Sequence, residues 1–399
     1  MPVSSSPNDA ASPTRLLIPL LLLWLAGCGL RLTILAVPPV IPLIHDQLNL
    51  NATQVGILTG LPSMLFAFAA VPGSLLIARL GVRSAMIVGL ILAAIGGALR
   101  GAVPNVDWLF AMTVAMSAGV AIMQVTMPPA VRAWTPGRIG FATAVYTNGL
   151  LIGEILPVAL MLPLVLPLVA GSWQLGFVVW SVPVAVIAAL VAILAPRQTR
   201  ANGPAIQRRW WPDWNSRLIW QLGIMLGTVN SIYFASNAFI PDYLKDHGQG
   251  AWISAALSGL NIGQLPASLL LLAIASRLEL KAWPYVACGL LSTAGTAGIV
   301  FGSGAWIVAA ATLQGFADAC ILILVLALPP LLAAPDDVHR VTAAMFTISY
   351  SCAVIIPIIS GLIWDSTGIA SMAFAPVALC GIVLIVLAPS INHVRPVRS

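Results

Sequence analysis

Charge, proline and glycine divide this chain into twelve long apolar runs, at 16–42, 53–78, 84–103, 107–131, 140–168, 174–195, 217–241, 252–276, 283–302, 305–332, 340–363 and 370–389. A helix needs roughly 20 apolar residues to cross the hydrocarbon core of a bilayer, and every run is long enough. In lipid each backbone N–H and C=O must find its partner inside the segment, so the runs are expected to be helices. The chain also lacks the polar surface that water requires. Of its 399 residues 60% are hydrophobic and 8% charged, whereas a soluble domain carries about 25% charged residues. The expected fold is an all-α membrane protein of twelve transmembrane helices. Prolines inside the runs, among them Pro62, Pro72, Pro157, Pro163, Pro266 and Pro357, are expected to kink them.

The placement of charge sets an orientation. With the N-terminus inside, fifteen of the eighteen Lys and Arg residues fall in inner loops and tails, Lys245 falls in an outer loop, and Arg31 and Arg100 lie within spans. Such an excess marks the cytoplasmic side. Both termini are therefore expected in the cytoplasm, with the protein in a bacterial type of inner membrane. The net charge of +6 is then membrane-orienting, and nucleic acid is not an expected partner. The expected organisation is a tail at 1–15, a six-helix bundle at 16–195, a linker at 196–216, a second six-helix bundle at 217–389 and a tail at 390–399. The linker carries Arg197, Arg200, Arg208 and Arg209 together with Trp210, Trp211 and Trp214, which suits an anchor in the inner headgroup region.

Other classes find no support. Cys28, Cys288, Cys320, Cys352 and Cys380 all sit in apolar runs without CxxC spacing, and read as small buried hydrophobes. Leu25-Ala26-Gly27-Cys28 has the form of a lipoprotein cleavage box, but the chain stays hydrophobic after it, so a retained first span is expected. No P-loop, zinc-ligand cluster or nucleophile with an adjacent base is present, so no enzymatic activity, cofactor or metal is expected.

The chain also repeats itself. Thr59-Gly60-Leu61 matches Ser258-Gly259-Leu260, and Arg79-Leu80-Gly81-Val82-Arg83 matches Arg277-Leu278-Glu279-Leu280-Lys281. Pro128-Pro129 matches Pro329-Pro330, and Arg138 matches Arg340. The four offsets all lie close to 200 residues, half the chain. Two six-helix units inserted the same way round are the parallel-repeat plan of a transporter.

These features resemble the major facilitator superfamily. Its loop after the second span usually reads Gly-x-Leu-Ala-Asp-Arg-x-Gly-Arg-Arg. Residues 74–83 keep the Arg79-x-Gly81-x-Arg83 end and depart at Ser74, in place of the first Gly, and at Ala78, in place of the Asp. Three stretches resemble the cyanate and nitroimidazole transporter branch: Arg31 to Pro39, Gly56 to Pro62, and Pro128 through Arg138-Ile139-Gly140 to Tyr146-Thr147. The resemblance implies two pseudo-symmetric bundles, a central cavity lined by spans 1, 4, 7 and 10, and a small anionic or polar solute.

Four ionisable residues lie within spans, Arg31, Arg100, Glu154 and Asp318. Charge at membrane depth is expensive and marks function by default, although these four also sum to zero and could pair with one another. Arg31 offers a planar fork of donors for an anion; its structural alternative is an ion pair with Glu154 or Asp318. Asp318 and Glu154 are candidates for proton coupling or gating, or for helix packing. Arg100, close to a span end, is expected to reach water and to act structurally. Gln124, Asn230, Tyr233 and Asn237, on spans 4 and 7, are candidate cavity-lining and substrate-binding residues. Asn148, Asn261, Gln264 and Tyr350 are further polar groups at mid-depth.

The function expected from all of this is secondary active transport of a small anionic or polar solute by alternating access, with a proton as candidate co-substrate, the lipid bilayer as surroundings and a monomer as the simplest assembly. The rivals are an exporter of hydrophobic or aromatic compounds and a non-transporting membrane sensor, for which the short tails offer no signalling segment.

Overall fold

The computed structural model of the protein describes residues 13–50, 52–196 and 210–393. The linker arginines Arg197, Arg200, Arg208 and Arg209, and the tails up to residue 12 and from 394, lie outside the described residues. The first half comprises α1 (Pro13–Leu35), α2 (Ile41–Leu48), α3 (Ala52–Leu80), α4 (Val82–Leu99), α5 (Val106–Trp134), α6 (Ile139–Leu160), α7 (Leu166–Leu168) and α8 (Trp173–Leu194). The second comprises α9 (Arg217–Asp246), α10 (Ile253–Ile262), α11 (Gln264–Leu278), α12 (Ala282–Phe301), α13 (Ala305–Leu332), α14 (Val338–Thr367) and α15 (Ala375–Leu387). Twelve membrane-length apolar segments result, and no strand occurs among the described residues.

Local chemistry sets several helix ends. Asn105 caps α5 by accepting from the amides of Asp107 at 2.7 Å and Trp108 at 3.1 Å, and Ser172 caps α8 through Leu175 N–H at 3.2 Å. Gly368, with φ +68°, ends α14 in the left-handed conformation that glycine adopts without strain. Four spans depart from the single helices expected of them, the twelfth by 3-10 turns at Ala370–Phe374 and Ala388–His393 on either side of α15. The first ends at Leu35, and Pro38–Val40 forms a 3-10 turn before α2. The fifth passes through a π turn at Met161–Val165, where Pro157, Pro163 and Pro167 remove amide donors. The eighth breaks at Gly263, between α10 and α11.

Packing within the first half joins α1 to α6 and α8, and α4 to α5 and α8; within the second it joins α9 to α14 and α15, and α13 to α10, α11 and α12. Two glycines one turn apart make the α1–α6 contact possible. A Cβ on Gly149 would strike the Trp24 carbonyl, and one on Gly153 would strike that of Cys28. Small residues let membrane helices approach backbone to backbone, where dispersion and not water drives association.

Arg79, Arg83, Arg132, Arg138, Arg217, Arg277, Lys281 and Arg340 lie toward one face of the bundle, called the basic face below. Here Arg83 donates to the carbonyls of Val191, at 3.5 Å, and Ala192, placing a cation at the C-terminal end of α8 where it complements the helix dipole. Ser74, where the superfamily usually has Gly, donates to the Trp210 carbonyl at 2.9 Å. The rings of Trp210, Trp211, Trp214 and Trp220 then follow one another at 5.4, 6.5 and 6.4 Å. The halves meet through α3 against α14 and α6 against α11. Asn148 donates to Ser268 at 3.1 Å, Thr347 to the Ala67 carbonyl at 2.9 Å, and Arg132 to the carbonyls of Pro330 and Ala333. The last of these contacts closes the basic face.

Candidate substrate cavity

Between the halves lies a cavity of about 550 Å³, within the range of small-molecule sites. Its lining runs from Asp318 and Tyr350 at mid-span to Val37, Pro38 and Asn237, near the ends of helices remote from the basic face. It therefore opens away from that face. Leu58, Phe66, Ile155, Val158, Leu265 and Leu322 supply apolar wall.

The close approach of α6 to α1 carries Glu154, next to Gly153, up to Arg31. Arg31 Nε and Glu154 Oε1 are 3.1 Å apart, with side-chain exposures of 15% and 21%, so the pair faces the cavity while largely buried. Tyr350 lines the same cavity as this pair. Tyr350 is held in turn by Gln124 Nε2, which donates to it at 3.1 Å, and by the Phe66 ring at 4.9 Å. On the opposite wall the Tyr233 hydroxyl donates to Asn261 Oδ1 at 2.7 Å, Asn237 Nδ2 donates to the Tyr233 carbonyl at 2.9 Å, and Asn230 Nδ2 donates to Ser349 Oγ at 2.8 Å. Asn261 sits beside the Gly263 break, so the interruption of the eighth span is also where its polar side chains enter the cavity.

Asp318 lines the cavity but stands apart from Arg31. Ser292 Oγ donates to its Oδ1 at 3.0 Å, and its Oδ2 is buried without a hydrogen-bond partner among the described residues. Of the two ion pairs open to Arg31, the molecule makes the one with Glu154. Arg31, Glu154, Asp318, Asn230, Tyr233 and Asn237 thus converge on one cavity. Gln124 does not line it. Only 7% exposed, it stands behind Tyr350 and fixes that hydroxyl.

Arg100 corrects a second expectation. It does not reach water but is 1% exposed. Its Nη2 donates to the Thr33 carbonyl at 2.5 Å and its Nε to the Gly97 carbonyl at 3.4 Å, and its Cζ lies 4.2 Å from the centre of the Phe177 ring. Nearness to a helix end was a poor guide because α1 and α8 close over that end. Sequence reasoning gave Tyr350 and Asn261 no individual role; their signal was a polar residue in an apolar run, which does not distinguish the cavity from a helix contact. Glu279 was missed altogether, because it lies in a loop where charge is ordinary.

A polar, partly charged cavity enclosed by two six-helix bundles is the architecture of a multi-pass membrane transporter. Residues 23–262 match the Major Facilitator Superfamily, and the chain belongs to that superfamily. It is 26% identical over 275 residues to the uncharacterized transporter YycB of Bacillus subtilis, covering 69% of this chain and 68% of that one. It is 26% identical over 235 residues to the 2-nitroimidazole transporter of Escherichia coli, covering 58% of each. It is 25% identical over 262 residues to the cyanate transport protein CynX of Escherichia coli, covering 64% of this chain and 66% of that one. The last two matches thus span less than two thirds of those relatives. Among solved structures, the fold is similar to FucP in its outward conformation, with TM-score 0.75 at 16% identity over 94% of this chain and 99% of that one. It is also similar to the proton:xylose symporter XylE, with TM-score 0.75 at 12% identity over 95% of this chain and 96% of that one.

Proposed function

We propose that this chain is a secondary active transporter that carries a small anionic or polar solute across a bacterial type of inner membrane by alternating access. The excess of Arg and Lys makes the basic face the cytoplasmic one, so the conformation described here holds its cavity toward the outside. The observation that carries the reading is the Arg31–Glu154 pair facing the cavity. A guanidinium is the natural receptor for an anion, and here a carboxylate already occupies it. An entering anion must displace Glu154, and protonation of Glu154 releases Arg31 for it. Anion and proton then travel together as a neutral load. In the empty carrier the pair reforms, so neither Arg31 nor Glu154 is left without its counter-charge. Tyr350, Tyr233, Asn230 and Asn237 supply hydrogen bonds to the rest of the solute, and Asp318 provides a second carboxyl for coupling or gating at the seam. The names of two relatives, for cyanate and for 2-nitroimidazole, support a small polar solute.

The test joins binding to flux. Small anions and nitro-aromatics are screened against the purified protein by thermal shift, since a bound ligand raises apparent stability. Hits are then followed as uptake, with proton movement, in proteoliposomes. Arg31→Lys and Arg31→Gln proteins are expected to fold but to lose both signals. Normal transport by either variant sinks the assignment of Arg31.

The apolar part of the wall supports a second reading, export of an aromatic compound. Net movement in everted against right-side-out vesicles separates the two, because uptake and export give opposite signs.

A further inference from the structure

Glu279 follows α11 on the basic face, opposite the first turn of α6, so its side chain crosses the seam between the halves. It is 7% exposed. Its carboxyl lies directly over the Gly140 Cα, where a Cβ would collide with Oε2; only glycine leaves room for this seat. Oε2 is buried and has no hydrogen-bond partner among the described residues.

The other charges nearby do not compensate it. Arg138, on the turn leading into α6, is exposed, as are Arg277 on α11 and Lys281 just beyond. Tyr285 of α12 donates at 2.7 Å to the main-chain carbonyl of Glu279 and not to its carboxyl. On the remaining neighbours, α10 has no charged residue, and α13 has only Asp318, fourteen residues from its basic-face end. A neutral carboxyl tolerates this seat. An ionised one does not, because a buried charged oxygen without a partner must regain water, and water reaches it only if α6 and α11 separate.

We propose that Glu279 is a proton-binding latch: protonated, it seats on Gly140 and holds the two halves closed on the basic face, and when it loses the proton it leaves the seat and that face opens. Burial pushes this carboxyl up to about 7, which places the change near neutrality. Because the value is raised, the contribution of Glu279 to the closed form is complete at acid pH and is lost as pH rises through about 7. The repeat supplies no second latch. The counterpart of Glu279, 198 residues earlier, is Gly81, whose φ of +82° suits glycine. The latch is independent of which solute is carried and of the role of Arg31.

Spin labels at Arg138→Cys and Lys281→Cys flank the seam. Dipolar distances are measured in lipid nanodiscs between pH 5.5 and 8.5, against the protein without introduced cysteines as blank. The expected result is a short-distance population that is largest at pH 5.5 and a longer one that grows with pH and levels off above about 7. Its ratio to the short form is expected to rise by up to about tenfold per pH unit, the limit for one proton. Glu279→Gln, which keeps the shape of the neutral form, is expected to stay short throughout. Gly140→Ala, which evicts the carboxyl, is expected to show the long population even at pH 5.5. A distance distribution that ignores pH, or a Glu279→Gln protein with the unaltered pH response, overturns the proposal.

Discussion

At the scale of single residues, the energetics of the cavity turn on which charges are neutralised and by what. Arg31 is matched by a carboxylate, while Arg100 meets two carbonyls and an aromatic face and keeps its buried Nη1 without a hydrogen-bond partner among the described residues. The two should therefore respond differently to substitution. Arg31→Gln leaves Glu154 without its cation and is expected to cost about 1–3 kcal/mol, the penalty of a largely buried group left unsatisfied. The double variant Arg31→Gln with Glu154→Gln should recover most of that stability and none of the uptake, as thermal unfolding and flux on the same preparations would show. Arg100→Gln has no such rescue by a second substitution. Removing its bonds to the ends of α1 and α4 and its stacking on Phe177 should lower stability by about 1–3 kcal/mol. A melting temperature equal to that of the wild type would contradict the anchoring role.

At the scale of elements, the pairing of Arg31 with Glu154 is a consequence of helix spacing. Gly149 and Gly153 set the distance between α1 and α6 by direct backbone contact. Replacing either with Leu should push the helices apart, destabilise the protein by about 1–3 kcal/mol as overpacking does, and weaken transport through the displaced ion pair. Gly60 is the internal control. It lies in α3, and a Cβ there would meet nothing within 4 Å, so Gly60→Ala should be neutral or gain up to about 1 kcal/mol from helix propensity. Equal effects of alanine at Gly60 and at Gly153 would show that helix propensity, not close approach, governs these sites. The break at Gly263 follows the same logic, since a side chain there would strike the Thr312 carbonyl of α13.

At the scale of the whole molecule, the halves are joined at the basic face by a charged donor as well as by apolar packing. Arg132 reaches from α5 to the carbonyls of Pro330 and Ala333 in the other half. A hydrogen bond from a charged donor contributes about 1.5–3 kcal/mol, so Arg132→Gln should raise the basic-face-open population by about tenfold or more. Distance measurements across the seam at constant pH read this directly, and an unchanged population would remove Arg132 from the gate.

The twelve spans, the repeat and the superfamily were legible in the order of residues because lipid imposes its demands locally. Each segment must be long enough, apolar enough and self-satisfied in its backbone, whatever its neighbours do. That Arg31, Glu154 and Asp318 are candidates was legible too, since ionisable residues stand out in apolar runs. Their pairing was not. Apolar residues cover most faces of these helices, so the pattern leaves helix rotation and the distance between helices open. Tertiary packing decided that Arg31 meets Glu154 and not Asp318, that Gln124 supports the cavity from behind, and that Arg100 is dry. It also turned Glu279, an unremarked loop residue, into a buried contact between halves. These outcomes depend on how closely two backbones approach, and that distance is set jointly by residues far apart in the chain.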